Sequence, residues 1–142
     1  PIRAACATCA SDLCPPLLRP AIDAWNDRLQ RDVNHGIYRA GFATTQAEHD
    51  DAATRFFAAL ALVDRHLASH RFLVGDEPTE ADWRLFPTLI RFEWVYRTLF
   101  GCNARSLADH PRLLAYTRKL YRPPRSGADF EVVADVQEKR GA

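Results

Sequence analysis

The stretch Pro78-Thr79-Glu80-Ala81-Asp82-Trp83-Arg84-Leu85-Phe86-Pro87-Thr88-Leu89-Ile90-Arg91-Phe92-Glu93-Trp94-Val95-Tyr96 decides the fold. Thr79 and Asp82 stand three residues apart at its start. That is the spacing of a capping box, in which two side chains satisfy first-turn amides that have no helical partner. Pro78 is placed to pack on Trp83 as a hydrophobic staple. Behind the cap, Trp83, Leu85, Phe86, Leu89, Ile90, Phe92, Val95, Tyr96, Leu99 and Phe100 cover most of a helix's circumference. A helix apolar nearly all round is expected in a core. Burying one such side chain contributes roughly 1.5–3 kcal/mol and a cap about 1 kcal/mol. Burial therefore holds this helix, and the cap fixes where it begins. Pro87 lies inside it, where proline removes a hydrogen bond and clashes one turn back at about 3 kcal/mol, which predicts a kink. Gly101 marks the stop.

Upstream, Leu18, Ile22, Trp25, Leu29 and Val33 follow in steps of four, three, four and four, one face of a helix. Pro15 and Pro16 suit its start, and Asn34-His35-Gly36 suits its exit, with Gly36 free to turn left-handed. Thr45-Gln46-Ala47-Glu48 reads as a second capping box. It opens a helix over Ala53, Phe56, Leu60, Val63 and Leu67 that ends near His70. Phe72-Leu73-Val74 is too short to build a sheet, and Gly75-Asp76 marks a turn. Downstream, Asp109-His110-Pro111 starts a helix through Leu113, Leu114, Tyr116, Leu120 and Tyr121 that Pro123-Pro124 ends. Phe130, Val133 and Val136 suggest a last weak helix. The pattern predicts an all-α bundle of four to five helices with no sheet. Residues 1–13 read as a loose N-terminal segment, 14–124 as the helical domain and 125–142 as a tail.

Length and composition agree with one globular domain: 142 residues, 47% hydrophobic and 26% charged. With 19 basic and 18 acidic side chains the net charge is +1, which gives no electrostatic case for nucleic acid or an anionic membrane. No apolar run approaches the ~18 residues of a membrane span, and no signal peptide is evident. The chain contains no methionine, so a processed chain or a fragment is expected. Cys6, Cys9, Cys14 and Cys102 do not form the regular framework of a secreted disulfide protein and read as cytoplasmic thiols.

Two segments together carry a family resemblance. One is Val33-Asn34-His35-Gly36-Ile37-Tyr38-Arg39-Ala40-Gly41-Phe42-Ala43-Thr44-Thr45-Gln46. The other runs from Phe72-Leu73-Val74-Gly75 through Thr79 to Phe86, then Ile90-Arg91-Phe92, Val95-Tyr96, Phe100-Gly101-Cys102-Asn103 and Leu107-Ala108-Asp109-His110-Pro111. Residues 12 to 123 resemble the C-terminal helical domain of the glutathionyl-hydroquinone reductases, the Xi class of glutathione transferases. The capping box is shared widely among glutathione transferases; the Tyr38 segment is what points to this class.

The resemblance implies an enzyme that uses glutathione as co-substrate to reduce glutathionyl-hydroquinones. Its attacking thiolate sits in an N-terminal thioredoxin-like domain, which has no counterpart here, so no catalytic residue is assigned. The helical domain is implied to form the wall over the hydroquinone and the contacts of a homodimer. Tyr38 and Tyr96 match the family's site tyrosines. Pro87 stands where the family has threonine, His110 where it has tyrosine, and a later His-Tyr-Tyr segment is not found. The resemblance thus implies a truncated or divergent member, inactive alone.

Each candidate has a plainer reading beside it. Tyr38 can donate to a quinol oxygen, or bury its ring and bond a nearby carbonyl. Tyr96 can do the first or simply pack in the core. Thr79 and Asp82 read as structural, through the cap. Cys6-Ala7-Thr8-Cys9 has dithiol spacing, but a redox dithiol must follow a strand and open a helix, and only five residues precede it. A zinc site from Cys6, Cys9, Cys14 and a histidine lacks the second ligand pair, so no metal is expected. Cys102 reads as a small buried residue. His35 and His49 read as surface residues. Arg84 and Arg91 read as a polar stripe paired with acidic neighbours, with a glutathione carboxylate as a lesser role for them. The alternative to an enzyme fragment is a non-catalytic protein-interaction module of the same fold.

Overall fold

Four helical rods make the fold, and the computed structural model describes residues 12–121. The first helix, α1 (Arg19–Leu29), carries Pro20 in its first turn, where no amide donor is needed. Pro15 and Pro16 lie outside it; the Leu18 amide donates to the Pro15 carbonyl at 3.0 Å in a preceding turn. α1 passes through a π-helical turn, Gln30–Asn34, into α2 (His35–Gly41). The rod therefore does not exit at Asn34-His35-Gly36, as its sequence suggests. Gly36 is buried inside α2 with ordinary helical geometry; the glycines with positive φ among the described residues are Gly75 and Gly101.

The second rod is α3 (Gln46–His66), which stops short of His70. Its capping box forms as expected: the Glu48 amide donates to the Thr45 hydroxyl at 3.2 Å, and Glu48 Oε2 accepts from the Thr45 amide at 3.2 Å. The third rod joins α4 (Glu80–Arg91), a π-helical turn at Phe92–Tyr96, and the short α5 (Arg97–Leu99), with Gly101 (φ 64°) just beyond. After a 3-10 turn at Leu107–Asp109 comes α6 (Pro111–Tyr121), the fourth rod. Its first turn is capped from across the bundle, because Asp64 Oδ1 accepts from the amides of Arg112 and Leu113 at 3.0 and 2.9 Å. No strand occurs among the described residues, so the fold is all-α as expected. No described helix is long and apolar enough to cross a membrane. The tail helix over Phe130, Val133 and Val136, and the Cys6–Cys9 pair, lie outside the described residues.

The core forms where the rods meet. Ile22, Leu29, Val33 and Ile37 from the first rod face Phe56, Leu60 and Val63 of α3, Leu85, Leu89 and Phe92 of the third rod, and Leu113 of α6, all fully or almost fully buried. The Phe56 and Phe92 rings lie 5.4 Å apart at its centre. The helix thought apolar all round is not buried all round. Its inner side is closed, but Trp83, Ile90, Val95 and Leu99 are exposed, Leu99 by 70%. Burial accounts for Leu85, Leu89, Phe92 and Tyr96 and in part for Phe86 and Phe100; the rest faces outward.

The Thr79 cap also does more than begin α4. Asp82 is completely buried. One carboxylate oxygen accepts from the Thr79 amide at 2.8 Å and the Thr79 hydroxyl at 3.0 Å. The other accepts from the Leu73 amide at 3.0 Å and the Tyr116 hydroxyl at 2.5 Å. The cap residue thus ties the buried Phe72-Leu73-Val74 segment and α6 to the start of α4. α4 runs through Pro87 as one helix, and the departure from regular geometry falls later, at the π-helical turn. Beside Pro87, Asn34 Nδ2 donates to the Arg84 carbonyl at 3.4 Å and the Thr88 hydroxyl donates to Asn34 Oδ1 at 2.8 Å.

Candidate functional site

Each of the two candidate tyrosines follows or closes a π-helical turn. Such a turn takes up one extra residue, which rotates the following side chains by about 100° relative to an unbroken α-helix. Tyr38 comes just after the turn Gln30–Asn34, and Tyr96 ends the turn Phe92–Tyr96. Although 58 residues apart in sequence, their hydroxyl oxygens lie 2.8 Å from each other. Tyr38 sits inside α2, not in the loop that its glycine-rich surroundings suggest. Its hydroxyl bonds a second hydroxyl and not the nearby carbonyl of its plainer reading. Tyr96 is almost fully buried while Tyr38 is 42% exposed, so the pair bridges core and surface. Burial, then the hydrogen bond with Tyr38, pushes the Tyr96 hydroxyl above its usual value, and Arg91 opposes that rise. Tyr96 therefore keeps its proton.

The pair forms one side of an open recess of about 700 Å³. Tyr38, Gly41 and Phe42 line it from α2, and Arg91, Val95, Tyr96, Leu99 and Phe100 line it from the third rod. Phe100 stacks on Tyr96 with centroids 5.3 Å apart and meets Tyr38 edge-on at 5.6 Å. Its ring occupies the space beside Gly41, where an added Cβ would lie 2.4 Å from ring atoms. His49 holds the same residue from behind: its Nε2 lies 2.8 Å from the Phe100 carbonyl, which can only accept, so that nitrogen carries the proton. His49 is therefore a fastening between α3 and the third rod and not a free surface residue, whereas His35 is exposed as expected.

The two arginines separate. Arg84 pairs with Glu80 at 2.6 Å, as expected; Arg91 has no acidic partner among the described residues and lines the recess. Cys102 is buried, and burial pushes its thiol above the usual range, so it is no nucleophile. Cys14 is half-buried and free. No group of three or more potential metal ligands occurs among the described residues. What the recess can do chemically is receive a flat apolar ring and offer hydrogen-bond donors to an oxygen on that ring. Phe42, Phe100, Gly41 and Arg91 were not singled out as recess residues from sequence. For Arg91 a signal was present: Arg84 and Arg97 each follow a glutamate by four residues, and Arg91 follows Pro87.

Comparison with known proteins gives a consistent result. Residues 46–119 match the family described as glutathione S-transferase, C-terminal domain. Over 109 residues, 77% of this chain and 35% of the relative, the sequence is 46% identical to the glutathionyl-hydroquinone reductase PcpF of Sphingobium chlorophenolicum. Over 115 residues, 81% of this chain and 35% of the relative, it is 42% identical to the glutathionyl-hydroquinone reductase YqjG of Escherichia coli. The glutathione-bound structure of YqjG superposes with a TM-score of 0.78 over 81% of this chain and 37% of that one, at 42% identity. The Xi glutathione S-transferase of Phanerochaete chrysosporium superposes with a TM-score of 0.76 over 79% and 38%, also at 42% identity. The chain spans about a third of the length of these curated relatives.

Proposed function

The chain belongs to the glutathione S-transferase family through its C-terminal domain, and on that premise we propose that it forms the hydroquinone-side wall of a glutathione-dependent reductase acting on glutathionyl-hydroquinones. The observation that carries this reading is the Tyr38–Tyr96 hydroxyl pair set in an aromatic recess. One hydroxyl donates to the other, so one O–H of the pair stays free for a ring oxygen. The substrate ring then rests among Phe42, Leu99 and Phe100. Glutathione is the co-substrate. In the reaction a thiolate takes the glutathionyl sulfur, the carbon–sulfur bond breaks, and the ring keeps the electron pair and gains a proton. The products are a hydroquinone and a disulfide. We assign that thiolate to none of the described residues: Cys102 is buried with its thiol pushed up, and Cys14 does not line the recess. Domain limits of 14–124, a homodimer joined through the helices and a cytoplasmic setting belong to the same reading.

Two measurements test it. Titrating the folded chain with menadiol and following tryptophan fluorescence should show saturable binding that weakens in Tyr38→Phe and Tyr96→Phe, with far-UV circular dichroism unchanged. Incubating the chain with glutathione and a glutathionyl-hydroquinone should give turnover near background. Strong turnover would refute the assignment of the thiolate elsewhere. A second reading, an interaction module without chemistry, is favoured by the apolar side chains left outward, Leu17, Phe42, Leu99 and Trp94 above all. Absence of menadiol binding would decide for it.

A further inference from the structure

The polar side chains of the recess are one-sided. Beside the tyrosine pair the recess holds a single charged residue, Arg91, and no carboxylate. Within the third rod Arg91 is also the odd arginine. Arg84 pairs with Glu80 and Arg97 with Glu93, each four residues earlier, while the residue four before Arg91 is Pro87. Nor does Arg91 serve a frayed helix end. The backbone continues into the π-helical turn, and the Phe92 amide already bonds the carbonyls of Thr88 and Leu89. A guanidinium carries five N–H donors and stays charged at any ordinary pH. Placed at an aromatic recess beside a hydroxyl that keeps its proton, it leaves the polar part of the recess rich in donors and positive.

We propose that Arg91 is a specificity-determining residue of this recess, which selects aromatic ligands whose ring oxygen is ionised, phenolates over the corresponding neutral ethers or phenols. The inference rests on the reading of the recess as an aromatic site and adds the charge state of the ligand it takes. The ring lies against Phe42 and Phe100, and its oxyanion accepts from the free O–H of the tyrosine pair and from the Arg91 guanidinium. Such charge-assisted bonds are roughly twice as strong as neutral ones. Arg91 is exposed, so water and salt weaken the attraction, and an effect on the order of tenfold is expected, smaller at high salt.

The test uses pentafluorophenol, ionised at neutral pH, and pentafluoroanisole, which has nearly the same ring but no proton to lose. Each is titrated against the folded chain by fluorine NMR. Pentafluorophenolate should bind about tenfold more tightly than pentafluoroanisole. Arg91→Leu should remove that ratio by weakening pentafluorophenolate far more than pentafluoroanisole, and Arg91→Lys should restore part of it. General damage to the recess would weaken both ligands together and leave the ratio intact, which would overturn the proposal. A ratio near one in the unaltered chain would overturn it too, with the aromatic site itself left standing. If neither ligand binds, the aromatic site and the proposal fall together.

Discussion

Replacing Asp82 with alanine removes the acceptor of four hydrogen bonds at a point with no access to water. The Leu73 amide and the Tyr116 hydroxyl lose their partner outright. Burial, reinforced by the neighbouring carboxylate, pushes the Tyr116 hydroxyl far above its usual value, so it remains a donor that needs an acceptor. A buried donor left unsatisfied costs about 1–3 kcal/mol, and loss of the cap at Thr79 adds about 1 kcal/mol. Relief of the carboxylate's own burial offsets part of this, which leaves an expected loss of about 3–5 kcal/mol. Small domains hold only about 5–15 kcal/mol, so the variant should sit near its unfolding threshold. Urea denaturation followed by far-UV circular dichroism measures the loss. Tyr116→Phe should cost less, about 1–2 kcal/mol, because it removes a donor and leaves the carboxylate three others. In the double variant the two losses should overlap by at least about 1 kcal/mol. A loss below about 1 kcal/mol for Asp82→Ala, or simple additivity, would refute the view that this carboxylate joins three segments.

Four further outcomes follow from the same geometry. Gly41→Ala places a Cβ 2.4 Å from the Phe100 ring and should displace it, costing about 1–3 kcal/mol and weakening menadiol binding; calorimetry and titration check the two effects. Cys102, buried with its thiol pushed up by burial, should react with iodoacetamide far more slowly in the folded chain than in urea, as mass spectrometry can follow. Burial, with His70 stacked on it, holds His66 below its usual value of 6.5. The unfolded chain then takes up this proton first, so stability should be full above about pH 6.5 and fall on acidification toward the lowered value; His66→Gln should flatten that slope in denaturation midpoints. Pro87→Thr restores an amide donor inside α4 and should raise stability by about 1–2 kcal/mol. A fall would show that the helix has been built around the ring.

What the sequence made legible is what depends on near neighbours. The Thr45 and Thr79 boxes, the Ile22–Leu29–Val33 face and the stop at Gly101 each rest on residues within about three turns of one another. What it hid rests on distant partners. Gly36 looks like a helix stop because glycine costs about 1 kcal/mol in a helix, but α2 is held against α3 around Phe56, and packing overrides the propensity. Asp82 looks like a local cap because Thr79 is close in sequence, whereas Leu73 and Tyr116, 9 and 34 residues away, make it a junction. His49 looks like a surface histidine because nothing nearby in sequence shows that the Phe100 carbonyl, 51 residues on, needs its proton.

The same distinction explains how two tyrosines 58 residues apart come to share a hydrogen bond. Helical periodicity places each on its own rod and says nothing of the offset between rods. One polar fastening joins these two rods directly, and a second ties the third rod to α3. At one end Asn34, in the first π-helical turn, bonds the Arg84 carbonyl and the Thr88 hydroxyl. At the other, His49 holds the Phe100 carbonyl just past the second. An apolar core alone tolerates sliding of one helix along another with modest change in buried area, since its attraction is not directional. Hydrogen bonds do not tolerate it, because they weaken steeply with angle and distance. The π-helical turns rotate Tyr38 and Tyr96 to the recess side, and the fastenings fix their height. Asn34→Leu, which keeps the volume and removes both bonds, should therefore loosen the tyrosine pair more than it unfolds the domain. Loss of aromatic binding at nearly unchanged stability is the expected result, and equal loss of both would mean that Asn34 only holds the fold together.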